Sequence, residues 1–331
     1  MATQRTHWID VSKGILILLL LFHHFTSAKK VLGIDSDYFF FLTSWEKVYT
    51  PFFMQAFLIM SGYCSNFNKP SKQFLGGVFK QLIVPFVFFE FVYCCISSIE
   101  NSQFNVKGIY EYWIASGGTS FWFINALILS KIAIYYFRKL TSSSFICIIV
   151  TLVFLVFAYT LDYFDLGSNF MCIRQSLGSI FFVYFGLLLK EKKNIYEKLQ
   201  WIGTIYPYVL VLLLLFKLPV PASTASMTSL KLVPIFVPLS VSGTIAFFSL
   251  CKFIDHSRFL EYFGRNTLVV YGLHFKLLCI LTVVVLNIIV VDSQLMGVIG
   301  SLVIYSALIL CLICFVELFK RVPFKWFVGR F

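Results

Sequence analysis

The chain has 331 residues, of which 59% are hydrophobic, 19% are aromatic and only 13% carry a charge. This composition excludes an ordinary water-soluble domain and is typical of a protein that crosses a membrane many times. The formal net charge of +12 does not indicate binding to nucleic acid, because the Lys and Arg residues are spread between apolar segments rather than gathered along one stripe.

Segments of about twenty apolar residues are long enough to span a bilayer. They predict an all-α, polytopic membrane protein with about ten transmembrane helices, at approximately residues 13–31, 49–65, 77–99, 120–137, 144–161, 172–190, 203–217, 231–251, 267–291 and 297–319. The longest loops, at about 100–119 and 218–230, are too short to form a soluble domain. We therefore expect residues 1–331 to form a single integral-membrane domain.

The charges of the loops predict the orientation, since cytoplasmic loops carry an excess of Lys and Arg. With the N-terminus inside, the inner side holds Arg5, Lys69, Lys72, Arg138, Lys139, Lys190, Lys192, Lys193, Lys198, Lys252, Arg258, Arg265, Lys320, Arg321, Lys325 and Arg330. The outer side then holds only Lys29, Lys30, Lys47, Lys107, Lys217 and Lys231. This alternation predicts that both termini are cytoplasmic.

The first apolar segment begins with Asp10 and Lys13 and carries the imidazoles of His23 and His24 deep inside. Eleven residues advance a helix by about three turns and roughly 16 Å, so Lys13 and His24 fall on nearly the same face. Ionisable groups inside a spanning helix usually face a protein interior or a water-filled cavity, where a neutral imidazole can take a proton from a hydroxyl. The alternative is that these residues only flank a membrane anchor.

Polar and aromatic residues near the ends of other helices are further candidates for a site. Lys80 opens the third helix, as an anchor or as a point charge for a phosphate-bearing donor. Trp122 starts the fourth helix on the outer side, where aromatic residues form a belt, and Asn125 follows inside that helix. Arg174, near the outer start of the sixth helix, either snorkels to the interface or binds an acidic or sugar substrate.

A last polar cluster begins the ninth predicted helix. Gly264 can end one element, and Asn266 or Thr267 can cap the next. His274 then lies about two turns into the helix, one turn after Tyr271. A second buried imidazole favours a polar tunnel, although a single satisfied histidine in a helix bundle is the alternative.

The nine cysteines lie mostly in apolar segments and have no histidine at the spacing of a zinc site. Cys311 and Cys314 are two residues apart, and on a lipid-embedded helix we interpret them as a packing pair. We therefore predict no metal and no bound cofactor.

Several of these motifs together resemble the integral-membrane acyltransferase 3 family, which includes polysaccharide O-acetyltransferases and the intercellular-adhesin-type glycan modifiers. The resemblance runs in order through Asp10-x-x-Lys13-Gly14 followed by His24, Phe57 to Tyr63 at the end of the second helix, Trp122-Phe123, and Gly264-Arg265-Asn266-Thr267-Leu268 leading to Tyr271 and His274. It implies about ten transmembrane helices with cytoplasmic ends in the bacterial plasma membrane.

The resemblance also implies a reaction. An acyl group, usually acetyl or succinyl, passes from a cytoplasmic acyl-CoA as co-substrate to a hydroxyl of an envelope glycan or lipid-linked sugar. By position, Lys13 and His24 correspond to the basic residue and histidine of the family's first helix, and Lys80 to a basic position after the second. This sequence has Lys13 where many members have Arg, and Gln81 beside Lys80 where paired arginines are frequent.

These inferences give three groups of candidate residues. We expect His24, Lys13 and Asp10 to be catalytic, Lys13 and Lys80 to bind the donor, and a tunnel or acceptor site to include Trp122, Asn125, Arg174, Tyr271 and His274. The expected partners are membrane lipid, acyl-CoA and an envelope sugar. There are two alternatives. A transporter or flippase of a lipid-linked sugar would need the same polar residues but no acyl donor, whereas in a structural partner of a glycan synthase Lys13 and His24 would tolerate substitution.

Overall fold

The structure is a computed structural model that describes residues 6–31, 40–100, 121–164, 166, 172–216, 219–220, 230–289, 293–321 and 324–329. Within this part of the chain the secondary structure is helical, with no strand. The α-helices are α1 His7–Val31, α2 Phe40–Tyr49, α3 Phe53–Cys64, α4 Ser71–Val78, α5 Val84–Glu100, α6 Trp122–Leu140, α7 Ser144–Tyr163, α8 Ile173–Glu191, α9 Lys193–Leu215, α10 Val233–Ile254, α11 Arg258–Arg265, α12 Thr267–Leu286 and α13 Gln294–Phe319. A π-helical turn, Phe79–Ile83, joins α4 to α5, and short 3-10 turns occupy Leu230–Leu232 and Phe324–Trp326.

The predicted all-α membrane architecture is confirmed. Seven helical segments of the described residues are long and apolar enough to cross a membrane: His7–Phe25, Ser71–Ser98, Ser144–Tyr163, Tyr196–Leu215, Leu230–Ile254, Thr267–Leu286 and Gln294–Phe319. Helices also occupy the three other predicted spans, as α3, α6 and α8. The 12 residues of α3 rise about 18 Å, which is less than a hydrocarbon core of about 30 Å. Residues 101–119 of the loop predicted at 100–119 lie outside the described residues, as does most of the loop at 218–230.

Serine residues mark the beginnings of three helices. Ser143, Ser257 and Ser293 each precede a helix and accept a hydrogen bond from the backbone N–H three residues on, at 3.4, 3.5 and 3.4 Å. A serine oxygen at this position satisfies one of the amide groups that a helix leaves without an internal partner. These caps fix where α7, α11 and α13 start.

The chain divides into two compact units, residues 50–253 and the combination of residues 1–49 with 254–331. In the unit of residues 50–253, α8 is central and packs against α3, α6 and α7. Gly62 and Gly186 bring α3 and α8 into backbone contact, since a Cβ on either would stand 1.9 Å from a carbonyl oxygen of the other helix. Ser130 of α6 donates to the backbone oxygen of Ser176 in α8 at 3.3 Å, and both residues are buried.

The other unit consists of α1, α2, α11, α12 and α13. Its central helix is α1, which packs along α11 and α12, while α12 packs on α13. The hydroxyl of Tyr305 in α13 donates to the backbone oxygen of Leu18 in α1 at 2.9 Å. Apolar residues of α1 such as Val11, Leu16 and Leu21 have no exposed surface. Packing against α11 and α12 therefore fixes the position of α1 and of the polar residues that it carries.

Candidate active site

Two glycines let the start of α1 touch α11 through the backbone. A Cβ on Gly14 would stand 2.0 Å from the backbone oxygen of Leu260, and one on Gly264 would stand 1.8 Å from that of Asp10. Contacts this short leave no room for a side chain, so both positions require glycine. The close approach also places the polar residues of α11 directly beside Asp10.

Arg265 joins two carboxylates at this helix crossing. Its Nε donates to Asp10 Oδ2 at 3.2 Å, and its Nη2 donates to Glu261 Oε2. Asp10 and Glu261 are 7% and 3% exposed, and a buried carboxylate is stable only when its charge is balanced. Asp10, which we expected to be catalytic with His24 and Lys13, is thus bound by the guanidinium of Arg265.

Two imidazoles face the other oxygen of Glu261. Nδ1 of His7 lies 3.1 Å from Glu261 Oε1, and Nδ1 of His256 contacts the same oxygen. Burial alone would raise the pKa of Glu261, but the hydrogen bonds from His7 and His256 outweigh it and hold the pKa below its ordinary value. Glu261 is therefore an ionised carboxylate that accepts from three side chains.

Deeper in the same unit, α1 and α12 bring the two predicted imidazoles together. The ring centroids of His24 and His274 are 4.9 Å apart, and the ring of Phe275 lies 5.4 Å from His24. His274 is 3% exposed. Sequence reasoning identified both residues, and the structure shows that they form one pair.

The backbone fixes which nitrogen of His274 carries its hydrogen. Nδ1 of His274 lies 2.7 Å from the carbonyl oxygen of Tyr271, so Nδ1–H donates and Nε2 keeps its lone pair. Buried Nε2 of His274 and buried Nδ1 of His24 have no hydrogen-bond partner among the described residues. A buried polar atom without a partner is costly in a folded protein, and both atoms are suited to bind a substrate hydroxyl.

The imidazole of His23, next to His24 in the chain, has different neighbours. Nδ1 of His23 lies 3.7 Å from Glu46 Oε1 of α2, whereas His24 contacts α12. Glu46 was not predicted from the sequence, because it lies in a short helix that does not coincide with a long apolar segment. Lys13 is partly buried on α1, with no hydrogen bond or ion pair to the residues that the structure describes. Its amine is available to a bound anion.

The remaining candidates lie in the unit of residues 50–253. Lys80 is exposed in the π-helical turn, and Trp122 is partly buried as the first residue of α6. Asn125 is 3% exposed and hydrogen-bonds the thiol of Cys172. Arg174 donates from Nη1 to Asp162 Oδ1 at 3.1 Å.

Sequence reasoning missed one acidic residue of this unit. Glu90 lies inside the apolar helix α5 with 1% exposure, and neither carboxylate oxygen has a hydrogen-bond partner among the described residues. The signal was present in the sequence, because Glu90 is the single acidic residue of the apolar run 84–98. An ionisable group at such a position usually marks a functional site.

Comparison with known protein families gives a match that covers almost the whole chain. The acyltransferase 3 family model, described as an acyltransferase domain, matches residues 6–318. No curated protein and no solved structure matches the chain. The matched region includes the whole unit of residues 50–253, most of the other unit, and every candidate site residue named above. The chain therefore belongs to the acyltransferase 3 family and is a membrane acyltransferase.

Proposed function

We propose that the chain transfers an acyl group, acetyl or succinyl, from a cytoplasmic acyl-CoA to a hydroxyl of a cell-envelope sugar. The observation that carries this proposal is the pair formed by His24 and His274, in which each ring has one buried nitrogen without a hydrogen-bond partner among the described residues. Acyl transfer to a hydroxyl needs a proton acceptor at the attacking oxygen. A neutral imidazole with an unused nitrogen supplies it.

The proposed reaction transfers one acyl group and one proton. His24 takes the proton of the acceptor hydroxyl while the hydroxyl oxygen attacks the carbonyl carbon of the thioester. The new C–O bond forms, the C–S bond breaks, and His24 returns the proton to the leaving thiolate, so that charge and atoms balance. His274 lies beside His24, and its hydrogen bond to the carbonyl oxygen of Tyr271 fixes its tautomer. We propose that His274 positions the ring of His24. In the other possible order His24 first accepts the acyl group itself and then passes it to the hydroxyl.

Lys13 is the residue that we assign to the phosphates of the donor, with Lys80 as a second cation. A hydrogen bond to a charged group contributes about 1.5–3 kcal/mol, which corresponds to roughly 10–100-fold in affinity. We expect Lys13→Ala to raise the KM for acyl-CoA by about that factor and to leave kcat less affected. Lys13→Arg keeps the charge and should keep most of the affinity. Initial rates at varied acyl-CoA concentration measure both effects, and an unchanged KM in Lys13→Ala would remove Lys13 from the donor site.

The proposed arrangement in the membrane follows from the loop charges. We propose about ten spans in a single integral-membrane domain of the bacterial plasma membrane, with both termini in the cytoplasm. The donor then reaches the Lys13 end of α1 from inside. Trp122, Asn125 and Arg174 are assigned to the acceptor sugar, and Tyr271 to the passage that leads to the histidine pair.

Purified protein in proteoliposomes, with labelled acetyl-CoA or succinyl-CoA and extracted envelope glycan, tests the reaction. We expect label in the glycan and release of one free CoA thiol for each acyl group transferred. Mass spectrometry of envelope glycans from cells with and without the protein provides the matching test in vivo. Glycan acylation that persists in the deletion strain, together with lost surface glycan, would instead indicate a flippase.

A further inference from the structure

Outside the histidine pair, the unit of residues 1–49 and 254–331 contains a second cluster of possible ligands. Nδ1 of His7, Nδ1 of His256 and a carboxylate oxygen of Glu261 all lie within 4.8 Å of one another. Both nitrogens face the same oxygen, Oε1, and the two rings are 5.0 Å apart and nearly perpendicular. Three donor atoms from the start of α1, the residues before α11 and α11 itself therefore converge on one point.

We propose that His7, His256 and Glu261 bind a divalent zinc ion. Two imidazoles and one carboxylate form a donor set that zinc uses with a fourth position left for water. Bond lengths of about 2.0–2.2 Å to zinc place tetrahedral donors roughly 3.3 Å apart. The side chains of His7 and His256 are 45% and 56% exposed, so they can rotate to reach this spacing without disturbing the core.

The carboxylate is already oriented for this role. Oε2 of Glu261 accepts from Arg265, and Arg265 in turn donates to Asp10. Groups that hydrogen-bond to a metal ligand fix its orientation and are a regular part of metal sites. The charges of Asp10, Glu261 and Arg265 sum to −1, so a divalent cation meets a favourable field.

Binding would join the first turn of α1 to the segment that precedes α11. The backbone contacts at Gly14 and Gly264 already hold these helices together a few residues away. An ion that binds the folded state but not the unfolded chain stabilises the folded state by RT ln(1 + [L]/Kd). Zinc should therefore raise the melting temperature of the protein. This role is separate from acyl transfer, and its test does not depend on activity.

The test uses the full chain, purified in detergent through a tag without histidine, and titrated with Zn²⁺ alone. We expect one ion per chain with a dissociation constant in the micromolar range, a rise of Tm by several degrees, and no comparable effect of Mg²⁺, which prefers oxygen ligands. Loss of a supporting partner behind a metal ligand costs about 10–100-fold in affinity, so loss of a ligand should cost at least that much in His7→Asn and in His256→Asn. His23→Asn is the matched control and should bind as the wild type does.

Co²⁺ provides a second measurement on the wild-type protein that does not depend on the folding of a variant. Tetrahedral coordination by nitrogen and oxygen should give strong visible absorption without sulfur-to-metal charge transfer. Absence of saturable Zn²⁺ binding, equal affinity in the wild type and in both ligand variants, or a cobalt spectrum that shows thiolate ligands would overturn the proposal.

Discussion

Replacement of His24 by Ala is expected to lower the rate of acyl transfer by about 10²–10⁴-fold, the usual contribution of a general base. The imidazole lies 4.9 Å from His274 between ring centroids, with its buried Nδ1 open to a substrate. We propose that this nitrogen accepts the proton of the acceptor hydroxyl. Acyl transfer from labelled acyl-CoA in membranes measures the loss, with protein abundance determined in the same samples.

The matched control is the adjacent residue. His23 carries the same side chain at nearly the same depth, but its ring faces Glu46 at 3.7 Å rather than His274. His23→Ala should therefore retain most of the activity while removing the same number of atoms from α1. Equal loss in the two variants would show that the region tolerates no truncation, and full activity in His24→Ala at normal abundance would refute the mechanism.

Most of the fold could be predicted because long apolar runs identify helices without any knowledge of packing. The elements that sequence reasoning missed are short or amphipathic. Helix α11 has eight residues, too few to form a span, and α2 has ten. Helix α9 begins at Lys193, ten residues before the predicted start at 203, because a lysine-rich first half resembles a cytoplasmic loop.

The residues of the candidate site likewise fall into those that the sequence predicts and those that it does not. His24 and His274 could be found from the sequence because an imidazole inside an apolar run is conspicuous. The partners of Asp10 and His7 could not, since Arg265 and Glu261 are 255 and 254 residues away in the chain. Only the backbone contact of α1 with α11 brings them together.

The crossing of α1 and α11 leads to the second large expected effect, that of Gly264→Ala. The new Cβ would lie 1.8 Å from the backbone oxygen of Asp10 and 2.7 Å from its carbonyl carbon. A backbone group cannot rotate away as a side chain can, so α1 must move by about 1 Å or more to restore van der Waals contact. Overpacking costs about 1–3 kcal/mol and occasionally more, which corresponds to a fall in Tm of several degrees.

The same movement should reach the histidine pair, because His24 is carried by α1 and His274 by α12. A displacement of about 1 Å in a reacting group can cost 10²-fold in rate, so we expect Gly264→Ala to lose activity by roughly this factor even below its melting temperature. Thermal unfolding and acyl transfer are measured on the same preparation. This separates a displaced site from a protein that has merely unfolded.

Gly76→Ala is the control for this substitution. Gly76 lies in α4, and a Cβ there would meet nothing within 4 Å. Alanine favours a helix over glycine by about 0.5–1 kcal/mol, so this variant should melt at the same or a higher temperature and keep its activity. If Gly264→Ala instead behaved like Gly76→Ala in both measurements, α1 would not depend on backbone contact with α11. The position of His24 would then have to be set by α12 and α13 alone.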